Sequence, residues 1–200
     1  MPFCGKCLAL RVIIKPHTAV SADWYCVKSS ISGVSVLRAD SDSVFVTGEI
    51  PESIFKSEYY TVKRPLTPKN RNIAQDRWTN FLHASKKDNF LCGFILDFFL
   101  EYWKTQKTLI DYFLIDYAIQ IAYDEFPKCR ELLDSVPLVN YDLYKFENIM
   151  NKEWSVETWN SIKNSTLFSK LAWRKEGKKE TLLGKETIYG HIAKNYENQK

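Results

Sequence analysis

The sequence predicts an α/β fold, with short strands in the N-terminal half and helices in the C-terminal half. Three observations carry that prediction. Short β-rich runs occur up to His83, and some of them alternate apolar with polar residues. From Asp88 onward the apolar residues recur with helical spacing. Prolines at 51, 65 and 68 separate the strand-like runs.

Taken in order, Met1 to Leu37 is weakly patterned. Val44 to Ile50 reads as a strand that ends in a turn at Pro51, and Tyr59 to Val62 reads as a second. Pro65 and Pro68 mark a loop rich in Lys, Arg and Asn. Trp78 to His83 alternates as a third strand. Asp88 is placed to cap a helix that runs to about Thr105. Thr108 then opens a second helix, with Asp111 three residues on in a capping-box position. Leu109, Ile110, Phe113, Leu114, Tyr117, Ala118 and Ile121 supply its apolar spacing. Shorter helices are expected at Tyr141 to Met150 and at Val156 to Asn164. Beyond Lys175 the chain is polar and weakly patterned. These shifts divide it into an atypical segment 1–38, a body 39–175 and a basic tail 176–200.

Composition bounds the function classes. Hydrophobic residues make up 45% and charged residues 26%, the values of an ordinary globular domain. Two hundred residues bury enough apolar surface to fold without disulfides. Twelve Phe, eleven Tyr and six Trp are an aromatic excess, suited to core packing and to stacking on sugars or bases. A net charge of +4 is too small to argue for nucleic acid. The excess of base sits late, at Lys170, Arg174, Lys175, Lys178, Lys179 and Lys185, where it can meet a diphosphate, an acidic lipid surface or solvent. Five cysteines, an odd number, without a secretory leader fit a reduced cytoplasmic setting. The longest apolar run, Phe90 to Leu100, contains Asp97 and is shorter than the ~20 residues of a membrane span.

Several constellations bear on chemistry. Asp40-Ser41-Asp42 places two carboxylates one residue apart beside a strand, a pattern that can grip a hard cation such as Mg²⁺ or Mn²⁺. On its own such a triplet is common in solvated turns. Asp111 suits a contact with a sugar hydroxyl or the role of a base; it equally suits the electropositive start of a helix. Asp116 lies on an otherwise apolar helix, and at about 140° from Asp111 the two do not share one site. Cys4, Cys7, His17 and Cys26 could be assembled into a zinc set, but their spacing matches no standard finger. His17, His83 and His191 form no Ser-His-Asp or Cys-His pattern, and the chain has no phosphate-binding glycine loop.

From Val44 onward the chain resembles the bacterial capsular polysaccharide synthesis protein family. The matching stretches are Val46-Thr47-Gly48-Glu49-Ile50-Pro51, the run from Trp78 to Lys87, Leu100-Glu101-Tyr102-Trp103, Leu109 to Tyr117 and, more weakly, Phe168 to Arg174. The stretch around Asp111-Tyr112-Phe113 is the most specific. The resemblance implies a GT-A-like nucleotide-sugar transferase with Asp40 and Asp42 as ligands of Mn²⁺ or Mg²⁺. It implies Asp111 as the catalytic candidate, and Trp78, Asp116, Lys170 and Arg174 as substrate-binding candidates. The implied partners are a nucleotide-sugar donor and a glycan or lipid-linked acceptor, at the inner face of the plasma membrane, without nucleic acid. Before residue 39 the family's Trp-rich opening strand and Gly-Gly turn are not recognisable, and Ser169 stands where relatives often carry His. A second reading is therefore an inactive, truncated or frameshifted relative.

Overall fold

A computed structural model of the chain describes residues 24–27, 35–39, 43–45, 51–66, 72–172 and 174–197. In chain order the elements are β1 (Trp24–Val27), β2 (Ser35–Ala39), β3 (Ser43–Phe45), α1 (Glu52–Lys56), β4 (Tyr59–Thr61), β5 (Leu82–Lys86) and α2 (Phe90–Thr105). They continue with α3 (Leu114–Glu125), α4 (Pro127–Asp134), α5 (Lys145–Ile149), α6 (Val156–Lys163), β6 (Phe168–Lys170) and α7 (Ile188–Glu197). This is a mixed α/β chain. It divides into two units: one holds β1, β2 and the described part of 51–138, the other holds β3 and the described residues from Val139 onward.

The first unit is built on a four-stranded sheet in the order β1-β2-β5-β4, with antiparallel neighbours. β4 meets the strand expected at Tyr59 to Val62, and Tyr59, Tyr60 and Thr61 are all buried. β5 alternates buried Leu82 and Ala84 with half-buried His83 and Ser85, the signature of a strand with one face inward. Tyr59 Oη and His83 Nδ1, 2.6 Å apart, join the two strands through their side chains.

The third expected strand is displaced. The ladder begins at Leu82, and Trp78 to Asn80 instead forms an extended approach to it. Thr61 Oγ1 donates to Thr79 O at 3.1 Å and accepts from Thr79 N at 3.1 Å, so a side chain takes the place of a ladder bond there. The alternation read from the sequence was still physical: Trp78 and Asn80, two residues apart, point the same way and both reach Asp116.

The α2 boundary also differs by one residue. Asn89 is the cap, its Oδ1 accepting from Leu91 N at 3.1 Å and Cys92 N at 3.2 Å. Asp88 has φ +60°, a left-handed conformation that precedes the cap. The second helix does not open at Thr108. Tyr102 Oη donates to Thr108 O (2.7 Å) and accepts from Ile110 N (3.0 Å), which ties 106–113 into a loop. Asp111 Oδ1 accepts from Phe113 N at 2.7 Å in a turn, and α3 starts only at Leu114. The apolar spacing from Leu109 therefore belongs partly to an exposed loop, where Ile110 and Tyr112 face solvent.

The second unit pairs β3 with β6 in an antiparallel ribbon. β6 is stitched on its other side by the segment before α5 and by α5 itself. Phe168 N donates to Asn140 Oδ1 (3.1 Å), Lys170 N to Leu143 O (3.1 Å) and Ala172 N to Glu147 Oε1 (2.7 Å). Phe146, Met150, Ile162 and Ile188 form the buried core, wrapped by Trp154, Trp159, Leu171 and Tyr189. Each such side chain contributes about 1.5–3 kcal/mol through removal from water. The helix expected at Tyr141 to Met150 appears only as α5, and that expected at Val156 to Asn164 appears as α6, capped by Ser155 Oγ on Thr158 N. The tail read as weakly patterned contains α7. Among the described residues no helix is long and apolar enough to cross a membrane.

Candidate functional site

Of the candidate substrate-binding residues, Lys170 ends β6 and Arg174 lies just beyond it. The ribbon pairs Ser43 with Lys170, Val44 with Ser169 and Phe45 with Phe168. Ser43 is bonded directly to Asp42, so the strand that leads out of the Asp40-Ser41-Asp42 triplet starts opposite Lys170. Asp40 and Asp42 themselves lie outside the described residues, as do Cys4, Cys7, His17 and Val46 to Ile50. Lys170 is half-buried at the end of β6, and Arg174 is exposed four residues on. Glu147 organises the segment between them: one carboxylate oxygen accepts Ala172 N, and the other lies 3.5 Å from Lys175 Nζ. Lys175 Nζ also donates to Asn148 Oδ1 at 3.1 Å. Glu147 carries no local sequence signal for this role, because its backbone partner is 25 residues away. Ser169 is fully buried, and its hydroxyl has no hydrogen-bond partner among the described residues.

Asp111, Trp78 and Asp116 lie in the other unit. There the structure brings Trp78 and Asp116 together. Trp78 is 1% exposed and its Nε1 donates to Asp116 Oδ1 at 2.9 Å. Asn80 Nδ2 donates to Asp116 Oδ2. Asp116 is thus a buried carboxylate with a donor on each oxygen. Burial pushes its carboxyl above the usual value, while the hydrogen bonds from Trp78 and Asn80 pull the other way. The Trp78 ring lies against Tyr123, and the Arg77 guanidinium sits 4.8 Å from its centroid and 4.3 Å from that of Tyr123. Arg77 donates in turn to Gln120 Oε1 on α3. The cluster fastens α3 to the approach of β5, and the Trp78 face is occupied by protein. Asn80 escaped the sequence reading; its signal was the i, i+2 spacing from Trp78. Asp111 is half-buried in its turn, with Oδ1 engaged by Phe113 N.

Among the described residues no group of three or more His, Cys, Asp or Glu side chains is gathered to hold a metal. The family model for capsular polysaccharide synthesis proteins matches residues 39–192. The chain belongs to that family. The match starts directly before Asp40 and takes in Asp40, Asp42, Trp78, Asp111, Asp116, Lys170 and Arg174. Membership links this capsular polysaccharide synthesis family protein to capsule biosynthesis. No curated protein and no solved structure matches the chain.

Proposed function

We propose that the chain is a glycosyltransferase with a GT-A-like fold, which moves a sugar from a nucleotide-diphosphate donor to a capsule or lipopolysaccharide glycan, free or lipid-linked. The observation that supports it is the β3–β6 register, which starts the strand after Asp42 opposite Lys170. Acidic and basic residues near one end of a ribbon suit the two needs of a diphosphate leaving group. One is a divalent cation; the other is fixed positive charge where negative charge develops. In this proposal Asp40 and Asp42 hold Mn²⁺ or Mg²⁺, which would neutralise the diphosphate as a hard, oxygen-bound cation. Lys170 and Arg174 hold the diphosphate oxygens, with Glu147 fixing the backbone between them at Ala172.

Asp111 enters the proposal through its family-like motif, as the residue that touches a donor or acceptor hydroxyl. Trp78 and Asp116 serve it by holding α3 in place. The inactive reading draws on Ser169, whose buried hydroxyl is turned away from solvent at a position where relatives often carry His. Donor turnover decides between the two readings. The transferase reading expects Mn²⁺-dependent hydrolysis of a nucleotide sugar by the full chain, lost in Asp40→Asn/Asp42→Asn and lowered at least tenfold in Lys170→Gln. Absence of nucleotide-sugar binding with Mn²⁺ present would refute it.

A further inference from the structure

The turn between Thr181 and Lys185 is an unusual place for leucine. Turn tips favour Gly, Pro, Asn, Asp and Ser, which suit the backbone and keep apolar surface out of water. Here Leu182 is 100% exposed and Leu183 86% exposed. The turn is nonetheless well built. Thr181 N donates to Lys185 O (2.8 Å), Gly184 N to Thr181 O (3.0 Å) and Lys185 N to Thr181 Oγ1 (3.2 Å). Gly184 takes φ +73°, which a side chain would resist. Below the tip Glu180 and Glu186 form an antiparallel bridge. Thr187 N donates to Lys179 O, and Asn151 clasps both Glu176 O (2.9 Å) and Lys178 N (2.7 Å). The two leucines are held out by a hairpin whose own backbone bonds are made.

The hairpin is also basic. Residues 174–186 carry five basic and three acidic side chains, half of the chain's net charge of +4. Lys178 and Lys179 are exposed on one arm of the turn and Lys185 on the other. Glu186 is engaged by His191 Nδ1 (3.0 Å), while Lys185 is itself paired with Glu153 (2.8 Å), so the collar rests mainly on Lys178 and Lys179. A tip of two leucines above a collar of lysines complements a bilayer with anionic headgroups. The leucines enter the acyl boundary and the lysines stay level with the phosphates. A protein partner fits less well, because a stable protein interface engages about 20–30 residues a side.

We propose that the Leu182-Leu183 turn is a membrane-inserting tip that docks this unit on an anionic lipid surface. This does not rest on the donor-binding reading. The association is reversible, since one short apolar anchor together with a basic collar holds only in combination.

The test is co-sedimentation of the full chain with vesicles of phosphatidylcholine containing about a third phosphatidylglycerol, beside pure phosphatidylcholine. The expected result is binding to the anionic vesicles that weakens with salt, and that falls roughly tenfold in Leu182→Ser/Leu183→Ser. A Lys178→Gln/Lys179→Gln variant loses binding as well. In a Leu183→Trp variant, brominated acyl chains quench the added tryptophan. Three results would overturn the proposal: no binding to anionic vesicles, binding indifferent to the leucine pair, or no quenching at position 183. A dimer in lipid-free buffer that dissociates only in the leucine variant, with vesicle binding unchanged, would also overturn it by assigning the tip to a second copy. The substitutions lie in an exposed turn, and unchanged near-ultraviolet dichroism confirms that the variants fold.

Discussion

Replacing Gly190 by alanine sets two physical effects against each other, and the structure decides the sign. Gly190 is the third residue of α7, and in a free helix the change to alanine stabilises by about 0.8–1.0 kcal/mol. Here a Cβ at position 190 would lie 2.0 Å from Lys179 O and 2.8 Å from Lys179 C. That carbonyl cannot easily retreat. It accepts from Thr187 N at 3.0 Å and from Thr187 Oγ1 at 3.1 Å, and Thr187 is fully buried. Overpacking of this kind costs about 1–3 kcal/mol, and breaking the Thr187 bonds adds about 0.5–1.5 kcal/mol for each. After the helical gain is subtracted, Gly190→Ala should destabilise the second unit by roughly 1–5 kcal/mol, centred on about 3 kcal/mol. At a urea slope of about 2 kcal/mol/M the central value moves the midpoint down by about 1.5 M. Trp154 and Trp159 lie against that unit's core, so tryptophan emission reports the transition. Gly93 in α2 is the control: it is exposed with nothing within 4 Å of its Cβ position, and Gly93→Ala should stabilise by up to about 1 kcal/mol. If Gly190→Ala proved neutral or stabilising like the control, the close approach of Lys179 to α7 would be wrong.

Two further substitutions probe the other unit. Asp116→Ala removes the acceptor of two donors, one of them on fully buried Trp78, and should destabilise by about 2–4 kcal/mol in chemical denaturation. Because burial raises the native carboxyl above its ordinary value of 3.8, the folded state binds the proton more tightly than the unfolded chain. That contribution is complete below 3.8 and is lost as pH rises through the native value. Stability of the native chain relative to Asp116→Asn should therefore decline as pH rises from about 4; a difference that grows with pH contradicts the assignment. Asp111→Asn keeps an oxygen to accept Phe113 N and removes the charge, whereas Asp111→Ala breaks the turn. A residue that contacts a reacting hydroxyl loses donor turnover in both variants with little change in melting for the first; a purely structural residue leaves turnover intact in Asp111→Asn.

What the sequence discloses follows the range of the interactions. The strand at Tyr59 and the helices at Phe90 and Val156 announce themselves through nearby residues, a short β-rich run for the first and a capping side chain directly before each helix. The loop at 106–113 keeps helical spacing in its side chains, but a tyrosine hydroxyl eight residues from Ile110 and an aspartate turn override it. α7 was hidden in a polar tail because its inward side chains are sparse and its partners Met150 and Lys152 lie far upstream. At the candidate site the identities of Lys170 and Arg174 were readable, but the pairing of Ser43 with Lys170 spans well over a hundred residues and leaves no local trace. Trp78 shows the reverse: its type suited core packing and sugar stacking alike, and its burial and its bond to Asp116 show the core role.

The central claim is that the start of β3 and the end of β6 frame a diphosphate site. Calorimetric titration of the full chain with a nucleoside diphosphate, with and without Mn²⁺, tests it most directly when repeated on Lys170→Gln and Arg174→Gln. The account predicts metal-dependent binding, weakened about tenfold or more by each substitution, the loss of a charge-assisted bond of roughly 1.5–3 kcal/mol. Metal-dependent binding that ignores both substitutions, or no binding in the native chain, would contradict it.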